Sequence, residues 1–126
     1  MEVSMYGIDI AKNVFQVHGA DALGRMVVQK RLRRGEVLDF FRVAPKGVAA
    51  MEACGSAHHW GRELMKLGHE VRLIPPAYVK PYVMRNKTDA RDAAAICEAG
   101  SRPHMRRVPV KTIEAQADRA LQRTHD

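Results

Sequence analysis

Four acidic residues stand where acids are either costly or crowded. Asp9 ends an apolar run, Val3-Ser4-Met5-Tyr6-Gly7-Ile8, and Glu52 interrupts another, Val48-Ala49-Ala50-Met51-Glu52-Ala53. An ionised carboxylate in a buried strand has to be paired, hydrogen-bonded or bound to a metal. Asp89 and Asp92 are three apart. On a helix that spacing puts both on one face, ~5–6 Å apart at Cβ, where like charges repel. Singly, each has an ordinary explanation. A strand-end acid can reach water, and acids in the first turn of a helix complement its dipole. Jointly, their chemistry is different. Converging carboxylates raise one another's pKa unless a cation neutralises them. Oxygen-only donors select hard cations, Mg²⁺ or Mn²⁺. Two such ions, ~4 Å apart, can activate the attacking oxygen and stabilise the leaving one in phosphodiester transfer.

The elements that would have to position these acids can be read from hydrophobic periodicity. Residues 3–10, 14–19 and 25–33 read as three strands, with Lys12-Asn13 and Asp21–Gly24 as the links. Short links make them an antiparallel meander. A short amphipathic helix over 36–43 stops at Pro45 and Gly47. Residues 48–53 form a fourth strand, apolar enough to be covered on both faces. Ser56 is placed to cap a helix over 57–67, with Trp60, Leu64 and Leu67 on one face and Gly68 as its stop. A fifth strand, 70–74, is closed by Pro75-Pro76. Residues 77–87 read as a basic connector, then Thr88 caps an Ala-rich helix over 89–99 that Gly100 stops. Residues 102–111 form a second basic loop, and 113–124 read as a helix with a thin apolar face.

A three-strand meander feeding alternating helices and strands is the RNase H-like layout: α/β, a mixed five-stranded sheet with helices on its faces. In that layout the first and fourth strands are adjacent at the centre and the last helix crosses near their ends. Asp9, Glu52, Asp89 and Asp92 would then converge. The expected domain is 1–111, with 112–126 as the start of a helical connector.

Composition agrees with a folded domain. Apolar residues are 46% and charged residues 28% of 126, and no apolar run approaches the ~20 residues that span a bilayer. A cytoplasmic protein is expected, with no membrane partner. Lys and Arg number 21 against 14 Asp and Glu, a net charge of +7, which favours a polyanionic partner. The candidates for nucleic-acid contact are Lys80, Arg85 and Lys87 in the first basic connector and Arg106 and Arg107 in the second. Lys12 joins them because it follows Asp9, although a turn residue is the simpler reading. The run Lys30-Arg31-Leu32-Arg33-Arg34 is equally a nucleic-acid grip and a solvated strand edge. Cys54 and Cys97 lack the spacing of a zinc site and read as buried apolar side chains. His58 and His59 are adjacent, so they point apart, and zinc is not expected there. Trp60 reads as core.

Longer stretches bear a resemblance. Gly7-Ile8-Asp9-Ile10-Ala11-Lys12, Met51-Glu52-Ala53-Cys54-Gly55-Ser56, His58-His59-Trp60, Leu67-Gly68-His69-Glu70-Val71, Ile74-Pro75-Pro76, Val79-Lys80-Pro81 and Asn86-Lys87-Thr88-Asp89-Ala90-Arg91-Asp92-Ala93 occur in this order. The chain resembles the DEDD-type insertion-sequence transposases, the group that includes pilin-gene inverting and bridge-RNA-guided recombinases. The resemblance implies a RuvC-like fold and carries the four acidic roles, catalytic and Mg²⁺- or Mn²⁺-binding, onto Asp9, Glu52, Asp89 and Asp92. It implies DNA strand cleavage and transfer during transposition, DNA as partner, and a homo-oligomer in the full-length protein, and it admits a structured guide RNA. The resemblance also implies a second, C-terminal domain in full-length members, with a serine proposed as the nucleophile. The sequence after Lys111 follows the family poorly and is expected to be the beginning of the connector to that domain.

Two other classes compete. One is non-catalytic, a truncated transposase remnant that binds nucleic acid or dimerises with a full-length copy, while a stand-alone RuvC-like junction nuclease is a close variant of the enzyme reading. The other is an actin-like ATPase, which also opens on a Gly-Ile-Asp strand but needs a Gly/Ser/Thr-rich phosphate turn. Ala11-Lys12-Asn13 is not such a turn.

Overall fold

A computed structural model describes residues 2–84 and 91–117. Five strands, β1 (Met5–Asp9), β2 (Val14–Ala20), β3 (Met26–Arg33), β4 (Val48–Glu52) and β5 (Glu70–Ile74), form one sheet in the order β3-β2-β1-β4-β5. The meander β1-β2-β3 is antiparallel, whereas β4 runs parallel to both β1 and β5. This is the mixed RNase H-like α/β sheet expected from the sequence.

Alternation along each strand divides the core in two. Tyr6, Ile8, Phe15, Val17, Ala49, Met51 and Leu73 share one apolar cluster with α1 (Val37–Val43) and α2 (Gly55–Lys66). Met5, Ala50 and Ile74 share another with α3 (Pro76–Val83) and α4 (Arg91–Ser101). β4 is therefore covered on both faces, as its composition implies. Trp60 is core, edge-on to Phe15 with ring centroids 4.9 Å apart. Buried His69 ties the first layer together. Its Nε2 donates to the Phe41 carbonyl at 2.8 Å, and its Nδ1 accepts from the Gly47 amide at 3.4 Å.

The second layer is unusually thin. α4 buries Ala93, Ala94, Ala95, Ile96, Cys97, Ala99 and Gly100, all small except Ile96. A methyl group built on Gly7 of β1 would overlap the Ala93 carbonyl and the Cys97 amide, and would lie 2.7 Å from Cys97 Cβ. One built on Gly100 would lie 2.5 Å from Ala50 Cβ of β4. Backbone thus rests on backbone, which only glycine at the contact permits. At the far end of α4, Arg72 Nη1 from β5 donates to the Gly100 carbonyl at 2.7 Å, satisfying an orphan helix-end acceptor.

Several local expectations need correction. The connector 77–87 contains a helix, α3. Pro75 and Pro76 look like breakers, but Pro76 sits in the first turn, where the missing N–H costs nothing. The helix α2 begins at Gly55 behind an extended Cys54, with no side-chain cap, so Ser56 lies inside it. Gly100 does not stop α4, which runs on to Ser101; its role is the close approach to Ala50. Cys54 is exposed, not buried, whereas Cys97 is buried. Gly68 does end α2 as expected, at φ 94°.

After α4 the chain returns across β5. The Val108 amide donates to the Leu73 carbonyl at 2.8 Å, and Val108 and Leu73 form an antiparallel bridge. Residues 113–117 are helical. Arg62 Nη1 on α2 donates to the Lys111 carbonyl (2.6 Å) and to Gln116 Oε1 (2.8 Å), and Gln116 Nε2 donates to the Gly55 carbonyl (3.0 Å).

Gly7→Ala should be severely destabilising, at or above the ~1–3 kcal/mol usual for overpacking, because the obstruction is helix backbone. Gly35→Ala, where an added methyl meets nothing within 4 Å, should stay within about 0.5 kcal/mol of the parent. Urea denaturation of the two variants measures the difference.

Candidate metal centre

The parallel pairing of β1 with β4 ends at Ile8 opposite Met51. The next residues in register are Asp9 and Glu52. Both fall on the α4 face, because Ile8 and Met51 point into the opposite apolar layer. Both are half-buried. Parallel strands place their carboxyl ends together, so two acids from distant parts of the chain meet at one end of the sheet. Asp92 comes from the other direction, in the first described turn of α4, where it is exposed.

Charge coupling links the three. Burial raises the pKa of Asp9 above the ordinary carboxylate range, and the charge of Asp92 raises it further. Burial also raises Glu52, with the charges of Asp9 and Asp92 adding to the effect. Asp9 and Glu52 take part in no ion pair among the described residues. Asp89, the fourth acid, lies outside the described residues. Among those described, no three His, Cys, Asp or Glu side chains stand close enough together to hold one ion. The fit to a divalent cation therefore rests on donor chemistry. The donors are oxygen-only, and two half-buried acids carry raised pKa values with a third negative charge nearby.

The remaining candidates are scattered around this end of the fold or away from it. Lys12 is exposed in the β1–β2 link, and Lys80 is exposed on α3. Arg106 and Arg107 are exposed just before the Val108 bridge to β5. Arg85 and Lys87 lie outside the described residues. The histidine pair divides. His58 is buried and its Nδ1 accepts from the Lys111 amide at 3.0 Å, so it anchors the returning chain. His59 is exposed.

One residue near the acids escaped the sequence reading. Gln16 of β2 pairs directly with Asp9. The signal was present in the Lys12-Asn13 link, since a hairpin centred there pairs residues whose numbers add to 25. A cleft of about 630 Å³ lies elsewhere, lined by His18, Asp21, Cys97, Glu98 and Arg102 among others. Its Cys97 thiol is no nucleophile, because burial first and then the charge of Glu98 push its pKa up to about 12.

Comparison with known proteins identifies the family. Residues 6–126 match the DEDD transposase family of the IS110 type, described as transposase, so the match continues through the segment after Lys111, against the expectation that it follows the family poorly. A probable family 20 transposase of Pseudomonas aeruginosa is 58% identical over 123 residues, 98% of this chain and 36% of that protein. A putative transposase of Sinorhizobium fredii is 50% identical over 116 residues, 92% of this chain and 30% of that protein. The transposase for insertion sequence element IS1111A of Coxiella burnetii is 43% identical over 125 residues, 99% of this chain and 34% of that protein. The chain thus spans about a third of the length of these relatives.

The raised acids make a pH prediction. A carboxyl whose folded pKa is raised favours the folded state while protonated, and that contribution is lost as pH rises through the folded pKa. Metal-free protein should therefore lose this contribution as pH rises from about 4 through the raised values of Asp9 and Glu52. Asp9→Asn should flatten that decline and melt higher than the parent at pH 7 without metal. Melting curves in a chelating buffer from pH 4 to 8 report it. An Asp9→Asn variant that melts lower at pH 7 would contradict the assignment.

Proposed function

The chain belongs to the DEDD transposase family, and from that premise we propose that it forms the metal-binding part of an active centre that cuts and joins DNA strands. The observation that carries this reading is the meeting of Asp9 and Glu52 at the ends of adjacent parallel strands, with Asp92 coupled to both. Asp9, Glu52 and Asp92, joined by Asp89, would hold Mg²⁺ or Mn²⁺. When bound, the metal supplies Lewis acidity to the phosphodiester and its attacking and leaving oxygens.

The chain's own contribution is orientation and charge. The sheet fixes Asp9 and Glu52 in register, so neither has to be ordered when a ligand arrives. Partial burial reduces the water available to screen them. Lys12, Lys80, Arg106 and Arg107, joined by Arg85 and Lys87, would offset the repulsion between a polyanion and an acidic centre by contacting phosphates away from it. Residues 1–111 make up this unit and 112–126 begin a connector. On this reading a serine nucleophile would come from outside the third of a full-length relative that this chain covers. On the same reading the full-length protein is a homo-oligomer and a structured guide RNA is a candidate partner.

Mn²⁺ or Mg²⁺ at micromolar to millimolar levels should raise the melting temperature. A hundredfold excess over Kd corresponds to ~2.7 kcal/mol, a rise on the order of 10 °C for a domain of this size. Asp9→Ala combined with Glu52→Ala should abolish the rise. A shift of equal size in the double variant would refute the proposed centre.

A further inference from the structure

The registers of β1, β2 and β3 extend the acidic row in one direction. Asp9 pairs with Gln16, and Gln16 pairs with Arg31. Paired residues on neighbouring strands point to the same face. Arg31, Gln16, Asp9 and Glu52 therefore form one row across the sheet, on the face that carries α4. Arg33, which pairs with Val14, lies on the same face one row nearer the sheet end. Leu32, between the two arginines, points the other way into the core with Phe15.

This register divides the basic run that the sequence left undecided. Lys30 pairs with core residue Val17 and so points to the other face. The Arg34 guanidinium lies over the Trp60 ring, 5.2 Å from its centroid. Arg31 and Arg33 remain. Both are exposed, and neither takes part in an ion pair among the described residues. Glu36 is nearby, and its Oε1 accepts from the Arg33 backbone amide at 2.8 Å. A cleft of about 320 Å³ lies here, lined by Val14, Arg31, Leu32, Arg33 and Glu36. α4 packs over β1, β2, β4 and β5. On β3 the side chains of this face stay exposed.

We propose that Arg31 and Arg33, with Gln16 between them and the acids, form a shelf for the phosphodiester backbone of the DNA strand whose reacting phosphate lies at Asp9 and Glu52. The inference rests on the metal-centre reading above. Neighbouring strands lie ~4.8 Å apart, so Arg31 stands about 10 Å from Asp9 along the row. With the reach of its own side chain, Arg31 can meet a phosphate one or two positions along the strand from the reacting one. Guanidinium groups match phosphate oxygens with paired donors, and the Gln16 amide can donate to an oxygen between them. The order along the row, cations and then acids, lets one strand be held at one end and opened at the other.

The test is fluorescence anisotropy of a labelled 25-mer DNA duplex titrated with the chain at several salt concentrations. Arg31→Gln combined with Arg33→Gln should weaken binding about tenfold or more. It should also reduce the slope of log K against log salt by about 2, since each phosphate contact contributes about 0.9. Arg31→Lys with Arg33→Lys should keep most of the slope, whereas Arg42→Gln on α1 should change neither quantity. An unchanged slope in the Gln pair, or no DNA binding by the parent chain, overturns the shelf. So does a loss confined to an RNA duplex of the same length. The Mn²⁺ melting shift is read in parallel. It should survive in the Gln pair, and its absence from the parent chain would refute the metal centre, whereas the salt slope judges the shelf.

Discussion

Between α4 and the sheet there is room for backbone and little else. Gly7 gives up its side chain so that the Ala93 carbonyl and Cys97 amide can lie against β1, and Gly100 does the same above Ala50. This contact sets the height and direction of α4. The height brings Asp92 within charge range of two acids that a bulkier layer would hold away from it. The opposite layer, with Tyr6, Phe15, Phe41 and Trp60, is built from large interlocking rings and carries no part of the site. One side of the sheet supplies burial, and the other supplies proximity.

Proximity of this kind opposes folding. Asp9 and Glu52 both lose hydration and feel further negative charge, and among the described residues no cation pairs with either. Ordinary packing would replace at least one of them with an apolar residue. Their placement at adjacent strand ends is what the proposed cation site would call for, since a bound cation would relieve that tension. The apolar layer on the far face offsets that cost, which is why the acids can sit on strands of a well-buried sheet.

Much of this was legible before any coordinates. The meander, the apolar fourth strand and the final Ala-rich helix were enough to set the strand order, because short links and parallel crossovers leave few alternatives. Asp9, Glu52 and Asp92 stood out as acids in apolar or crowded settings. What escaped were features that depend on three-dimensional register. Gly7 and Gly100 look like an ordinary strand residue and a helix stop until α4 is laid on the sheet. The helix α3 was hidden by prolines that are tolerated at a helix start. Gln16 and Arg31 acquire meaning only once the two hairpin registers are counted together, and the second register shifts at Gly19/Ala20. Asp89 lies outside the described residues, so its place in the cluster rests on the sequence.

The returning segment has one more consequence. Gln116 is bonded to the Gly55 carbonyl, and Gly55 follows Glu52 by three residues. The path of the chain at residue 116 is thus tied to the rim of the acidic end. On the proposed function, a group that followed this point would start from an anchor on the α2 side of the sheet, three residues along the chain from Glu52. A reactive group carried on such a tether meets the site at an effective concentration set by tether length and stiffness, not by the amount of protein in solution.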